Sequence, residues 1–182
     1  MAKKDLIIEF DQFDETSVVA DLETIRKINR QRFEMEQLTA VCFVDVERKV
    51  AVGYKDLGAD EFWIRGHMPG FPLLPGVLMC EIAAQLCSYL AVKHAFLGAD
   101  ATLGFGGLND VRFRGIVRPG QRVIVMVQLL KIRPGVLLTS RFQAYVDRNL
   151  VAEGEILGVP LPATLPGESS PKPVSGGAAG NS

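Results

Sequence analysis

Apolar residues recur with different periods in different parts of this chain. Val18, Val19, Leu22, Ile25 and Ile28 follow helical spacing and Ser17 stands where a cap belongs, so a helix is expected over residues 17–31. AVCFVDVE and KVAVGYK (residues 40–47 and 49–55) read as two strands of a hairpin turning near Arg48, and EFWIRG (61–66) as a short extended piece. From Pro75 to Phe96 the chain is apolar nearly all round, which predicts a long helix buried on every side. Pro75 suits its first turn, where the missing N–H has no intrahelical partner anyway. DVRFRGIV, QRVIVMVQLLKI, VLLTSRFQAYVD and LVAEGEILGVP then read as strands, with turns at Pro119-Gly120, Pro134-Gly135 and Arg148-Asn149. The order is hairpin, helix, antiparallel meander. Without β-α-β alternation the expected class is α+β, a curved antiparallel sheet wrapped around one buried helix at about 75–96.

The 182 residues suit one domain. Residues 1–37 are expected to be an N-terminal extension with a short helix, 38–161 the main domain, and 162–182, rich in Pro, Gly and Ser, a disordered tail. The net charge of −1 gives no global argument for nucleic acid. Cys42, Cys80 and Cys87 lie in apolar surroundings and are expected to be buried, reduced thiols. Neither histidine has a second metal-type ligand at useful spacing, so no metal site is expected. The N-terminus carries no secretory h-region, and Val77 to Val92, interrupted by Glu81, Gln85 and Ser88, is short and polar for a membrane span. A cytoplasmic protein with no membrane contact is the expectation.

Candidate chemistry gathers at RGHMPGFPLLPGVLMCE. Six of the eleven residues from Gly66 to Gly76 are Gly or Pro, and they aim His67 at the start of the apolar helix. That start offers unpaired backbone N–H groups, including those of Gly76 and Val77, suited to a developing oxyanion. Glu81 lies about 8–9 Å along the helix from Pro75. A carboxylate inside an apolar helix needs a raised pKa or a partner, and its neighbours Gln85 and Ser88 share its face. An imidazole, an oxyanion site and a carboxylic acid are what a β-elimination next to a thioester requires. Taken singly, Glu81 is equally compatible with a structural role, and a lone His67 fits a structural or surface role better. His94, near the helix end, has no assigned role.

HMPGFPLLPGVLMCEIAAQ (67–85) resembles the signature of the 3-hydroxyacyl-acyl carrier protein dehydratases of fatty acid synthesis, and GGLNDVRFRGIVRPGQ resembles that family's second conserved strand and turn. The resemblance covers roughly residues 38–159. It implies the hot dog fold and the dehydration of 3-hydroxyacyl thioesters carried on the phosphopantetheine arm of acyl carrier protein, with no other cofactor. It implies a homodimer in which His67 of one subunit faces Glu81 of the other. Gly76 would bind the thioester carbonyl and Gln85 would support Glu81. Glutamate at position 81 resembles the branch that does not isomerise the new double bond. The family also forms trimers of dimers, an assembly nothing in this sequence demands.

Phe105, just before Gly106-Gly107, is a candidate for the acyl tunnel or its gate, or for the core. Arg65, Arg112, Arg114, Arg118, Lys131 and Arg133 make the middle of the chain locally basic, so Arg112, Arg114 and Arg118 are candidates for docking an acidic carrier protein. A solvated strand face is the alternative. The sequence departs from the family pattern at Met68, at Gln121 and across INRQRFEMEQLTAVCFVDVE, which leaves chain length open and allows a specialised substrate. The N-terminal stretch DLIIEFDQFD fits an added edge strand or an arm gripping a neighbour. Competing readings are a hot dog thioesterase and a non-catalytic acyl-thioester-binding or accessory subunit. A DNA-binding ligand sensor is disfavoured, since no helix-turn-helix is visible.

Overall fold

Val50–Asp56 (β2) turns back on Ala40–Asp45 (β1) through residues 46–49, with Lys49 at φ 55° and Asp45 accepting the Arg48 N–H through Oδ1 at 2.8 Å. The computed structural model describes residues 6–98 and 102–161. The proposed tail, 162–182, lies outside them. After β2 come one long helix, Gly76–Lys93 (α2), and four strands, Thr102–Phe113 (β3), Arg122–Arg133 (β4), Leu137–Val146 (β5) and Asn149–Leu161 (β6). The sheet is antiparallel in the order β1-β2-β4-β5-β6-β3.

Alternation along the strands divides two packed faces. Val41, Ala51, Val123, Val125, Val127, Leu138 and Phe142 meet Ile82, Leu86 and Leu90 of α2. Ala40, Cys42, Val50, Val52, Tyr54, Ile124, Met126 and Tyr145 point the other way. The N-terminal stretch covers this second face. Ile7 and Ile8 are buried there, the Ile7 N–H donates to Gln143 Oε1 at 2.9 Å, and Phe10 meets Tyr145 edge-on. Among the described residues the arm therefore lies on its own sheet. Only Ala20, bridged to Val41, resembles an added edge strand.

Several expectations need correction. The helix over 17–31 shrinks to Leu22–Arg26 (α1), capped by Asp21 rather than Ser17. The Val19 and Ala20 N–H groups are drawn to Val41 O, so that stretch of backbone bonds to the sheet instead. Residues 61–66 are not extended. They coil into turns, with Trp63 O accepting from Gly66 and His67, because the Trp63 indole is folded into the core. Pro75 is the N-cap of α2, and α2 stops at Lys93, where Ala95 takes a left-handed φ of 52° and Phe96 N–H reaches back to Ala91 O. Val77 at its start is 68% exposed, so the helix is not buried on every side. Finally, β4-β5-β6 is a meander, but β3 pairs with β6 at the far edge. The last turn falls on Asp147-Arg148, both at positive φ, one residue earlier than read. By length and composition α2 passes for a membrane span, yet here it is the core helix.

Candidate active site

The Gly/Pro segment folds into a loop that fixes His67 at both backbone and ring. The His67 N–H donates to Trp63 O at 2.7 Å, and His67 O accepts from Leu73 N at 3.0 Å. The ring Nδ1 lies 2.9 Å from Leu73 O. A carbonyl oxygen can only accept, so Nδ1 carries a proton, and in the neutral ring the lone pair lies on Nε2. The loop is closed by reciprocal bonds between Met68 and Phe71 and tied to the strand side by Leu74 N–H on Val117 O. The His67–Met68 peptide is cis.

Gly76 and Val77 open α2 directly after this loop. Their N–H groups meet no acceptor among the described residues, as expected of a first turn. Phe113, at the end of β3, lays its ring against Gly76. A Cβ there would sit 3.0 Å from three ring carbons, so a larger residue at this position would have to displace the Phe113 ring.

Glu81 is half-buried one turn further on. The partner its environment demanded is Gln85, whose Nε2 donates to Glu81 Oε1 at 2.8 Å and to Met35 O at 2.7 Å. Gln85 Oε1 accepts the Gln37 N–H at 3.0 Å, which fixes the orientation of the amide. Asn29 Nδ2 donates to Gln85 O at 2.9 Å. Glu81 Oε1 is thus committed as an acceptor, while Oε2 makes no hydrogen bond to a described residue. The bracing segment is itself held by Arg26, which grips Glu36 at 2.6 and 2.7 Å and keeps its carboxyl below the usual range.

Glu81 opens onto a cavity of about 240 Å³ lined also by Gln31, Ala84, Ser88, Leu103, Gly104, Phe105, Ile156 and Gly158. Phe105 is therefore at the cavity, half exposed. His67 is not among the lining residues, so one protomer does not bring imidazole and carboxyl to the same cavity. Of the basic residues, Arg118 places its guanidinium 4.8 Å over the Phe71 ring of the His67 loop. Arg114 is bonded to Glu153, with Nε 2.8 Å from Oε1, and Arg112 is exposed on β3. Lys131 and Arg133 lie at the opposite end of β4 from Arg122 and so apart from the other three.

Sequence reasoning missed Trp63, Leu73, Met35, Asn29 and Gln37 as supports of His67 and Glu81. Most act through backbone atoms, which a residue supplies whatever its side chain. The one available signal was the chain's single tryptophan, four residues before His67.

A family model described as FabA-like domain matches residues 29–155. The chain is 37% identical over 140 residues to a 3-hydroxyacyl-[acyl-carrier-protein] dehydratase FabZ of Clostridium botulinum (strain Loch Maree / Type A3), covering 76% of this chain and 94% of that protein. It is 36% identical over 138 residues to the FabZ of Pelotomaculum thermopropionicum, covering 75% and 96%. Among solved structures, the dehydratase heterocomplex ApeI:P from Xenorhabdus doucetiae superposes with a TM-score of 0.64 at 15% identity, over 76% of this chain and 91% of that one. This last likeness speaks for the hot dog fold alone.

Proposed function

We propose that this chain, which belongs to the FabA-like family, is a 3-hydroxyacyl-acyl carrier protein dehydratase, a hydro-lyase of acyl-chain biosynthesis. The observation that carries the mechanism is the pair of opposed polarities: an imidazole whose Nε2 is left basic by the Nδ1 bond to Leu73 O, and a carboxyl whose Oε2 is left free by Gln85. His67 Nε2 removes a proton from C2 of the thioester. The Gly76 N–H holds the carbonyl oxygen as negative charge develops on it. The electrons form the C2–C3 double bond as the C3–O bond breaks, and Glu81 Oε2 gives its proton to the departing hydroxyl. The products are a trans-2-enoyl thioester and water. The elimination balances with these groups alone, so the reading needs no cofactor beyond the carrier's phosphopantetheine arm.

Two protomers would complete each site, with His67 of one facing Glu81 of the other. Support comes from β3, an edge strand of twelve residues with Phe105, Leu108 and Phe113 exposed, and from the incompletely covered stripe Val77, Glu81, Ala84 and Ser88 on α2. A trimer of such dimers is compatible and not required. The acidic carrier protein would dock at Arg118 and Arg112, beside the His67 loop, with Arg114 held by Glu153 as part of their frame. The cytoplasm is the compartment this reaction implies.

The test is to supply 3-hydroxyacyl-acyl carrier protein and follow enoyl-thioester absorbance. His67→Ala and Glu81→Gln should each lower the rate by on the order of 10²–10⁴ while substrate binding changes little. Free thiol released without enoyl product would instead indicate a thioesterase, and tight binding without turnover an accessory subunit.

A further inference from the structure

Two side chains in the Glu81 cavity have no work in the elimination. Ser88 lies seven residues beyond Glu81 on the same face of α2, about 10 Å along the helix axis. Its hydroxyl makes no hydrogen bond to any described residue, not even to the Ala84 carbonyl one turn back, where a helical serine usually rests. Gln31 reaches the cavity from the bracing segment, and its carboxamide likewise has no partner among the described residues. Both residues are half-buried. The remaining lining, apart from Glu81, is apolar: Ala84, Leu103, Phe105 and Ile156, with two glycines.

A plain alkyl chain filling this space would strip water from the Ser88 hydroxyl and the Gln31 amide and give nothing back. A polar group that loses its water and gains no partner opposes binding. A chain carrying its own oxygen would satisfy them, since the hydroxyl and the amide can each both donate and accept. Resting on the dehydratase reading, which fixes C3 of the substrate at Glu81, we infer that the cavity is a polar subsite for acyl chains bearing a further hydroxyl or keto group well beyond C3. Chains built by two-carbon condensation carry their oxygens on odd carbons. The supplying sequence is thus a thioester condensation in which an earlier carbonyl was reduced no further than the alcohol.

The experiment compares carrier-bound 3-hydroxydecanoyl with 3,7- and 3,9-dihydroxydecanoyl thioesters on the full chain. At least one dihydroxy chain should have the higher kcat/KM, on the order of tenfold. Ser88→Ala and Gln31→Leu should erase that preference by raising turnover of the plain chain. Equal or better use of the plain chain by the unmodified protein would overturn the polar subsite, as would variants that leave the ratio unchanged. Dehydration of none of the three would overturn the dehydratase reading instead. Relative Kd values for the same thioesters then still decide the subsite: tighter binding of a dihydroxy chain supports it, and equal binding refutes it.

Discussion

The primary amide of Gln85 has no freedom left. Its oxygen takes the Gln37 N–H, and its nitrogen is shared between Met35 O and Glu81 Oε1. Replacing it with leucine keeps the volume roughly but leaves the Gln37 N–H unpaired in the interior and lets Glu81 rotate. Gln85→Leu should cost about 1–3 kcal/mol of stability. Well below the melting temperature, it should lower kcat far more than it raises KM. Steady-state kinetics beside a denaturant titration separate the two effects, and an unchanged kcat would refute the positioning role. The side chains of His67, Glu81 and Gln85 stand out by chemistry against glycine, proline or apolar neighbours, whereas Asn29, which also works through its side chain, lies in a polar stretch and does not. Residues that act through their backbone were not legible. Nothing in the local pattern says that Gln37 bonds its amide to a side chain 48 positions away, or that Leu73 supplies the carbonyl that sets the His67 tautomer.

At the level of elements, period and punctuation located β1, β2, β4, β5, β6 and α2 to within a few residues, because each repeats one side-chain direction over several positions. Two kinds of element escaped. The stretch 17–20 had helical spacing but lost its backbone to Val41. The first half of β3 was hidden by Gly104, Gly106 and Gly107, although a Cβ at Gly104 would meet the Leu161 side chain at 2.7 Å. The far-edge position of β3 is a long-range choice that no local pattern encodes. Within α2, Cys80 and Cys87 are sealed against the core, with Cys87 Sγ 3.0 Å from Ser140 Oγ. Burial pushes their thiols up to about 11 and about 12, and that of Cys42 on β1 to about 11. Their unfolded thiols ionise near the ordinary value of 9.0, so above it the unfolded chain releases protons that the folded one retains. Their contribution to stability is complete below about pH 9 and is lost as pH rises toward 12. Urea midpoints should therefore fall between pH 8.5 and pH 10.5. A thiol-reactive dye should label none of the three until the chain unfolds, and a flat midpoint or prompt native labelling would contradict the burial.

The molecule as a whole is a sheet packed on both faces by its own chain. α2 fills one face and presents Glu81. The arm from Leu6 to Phe13 covers the other with Ile7, Ile8, Phe10 and Phe13. The arm touches neither His67 nor the Glu81 cavity, so its contribution should be to stability rather than to chemistry. A fully buried isoleucine contributes about 1.5–3 kcal/mol, and the sheet residues beneath, Val50, Val52, Met126 and Tyr145, would also be uncovered if the arm were removed. Ordering the arm costs backbone entropy that offsets part of this gain, yet the uncovered face is an apolar surface of the kind that drives association. Deleting the chain through Phe13 should lower the melting temperature, increase binding of a hydrophobic dye, and promote aggregation at high concentration. Enoyl-thioester formation per folded molecule at low temperature should stay near that of the full chain. Lost activity in a variant that remains folded would mean that the arm acts on the site. An unaltered melt would mean that its buried isoleucines contribute nothing to the fold.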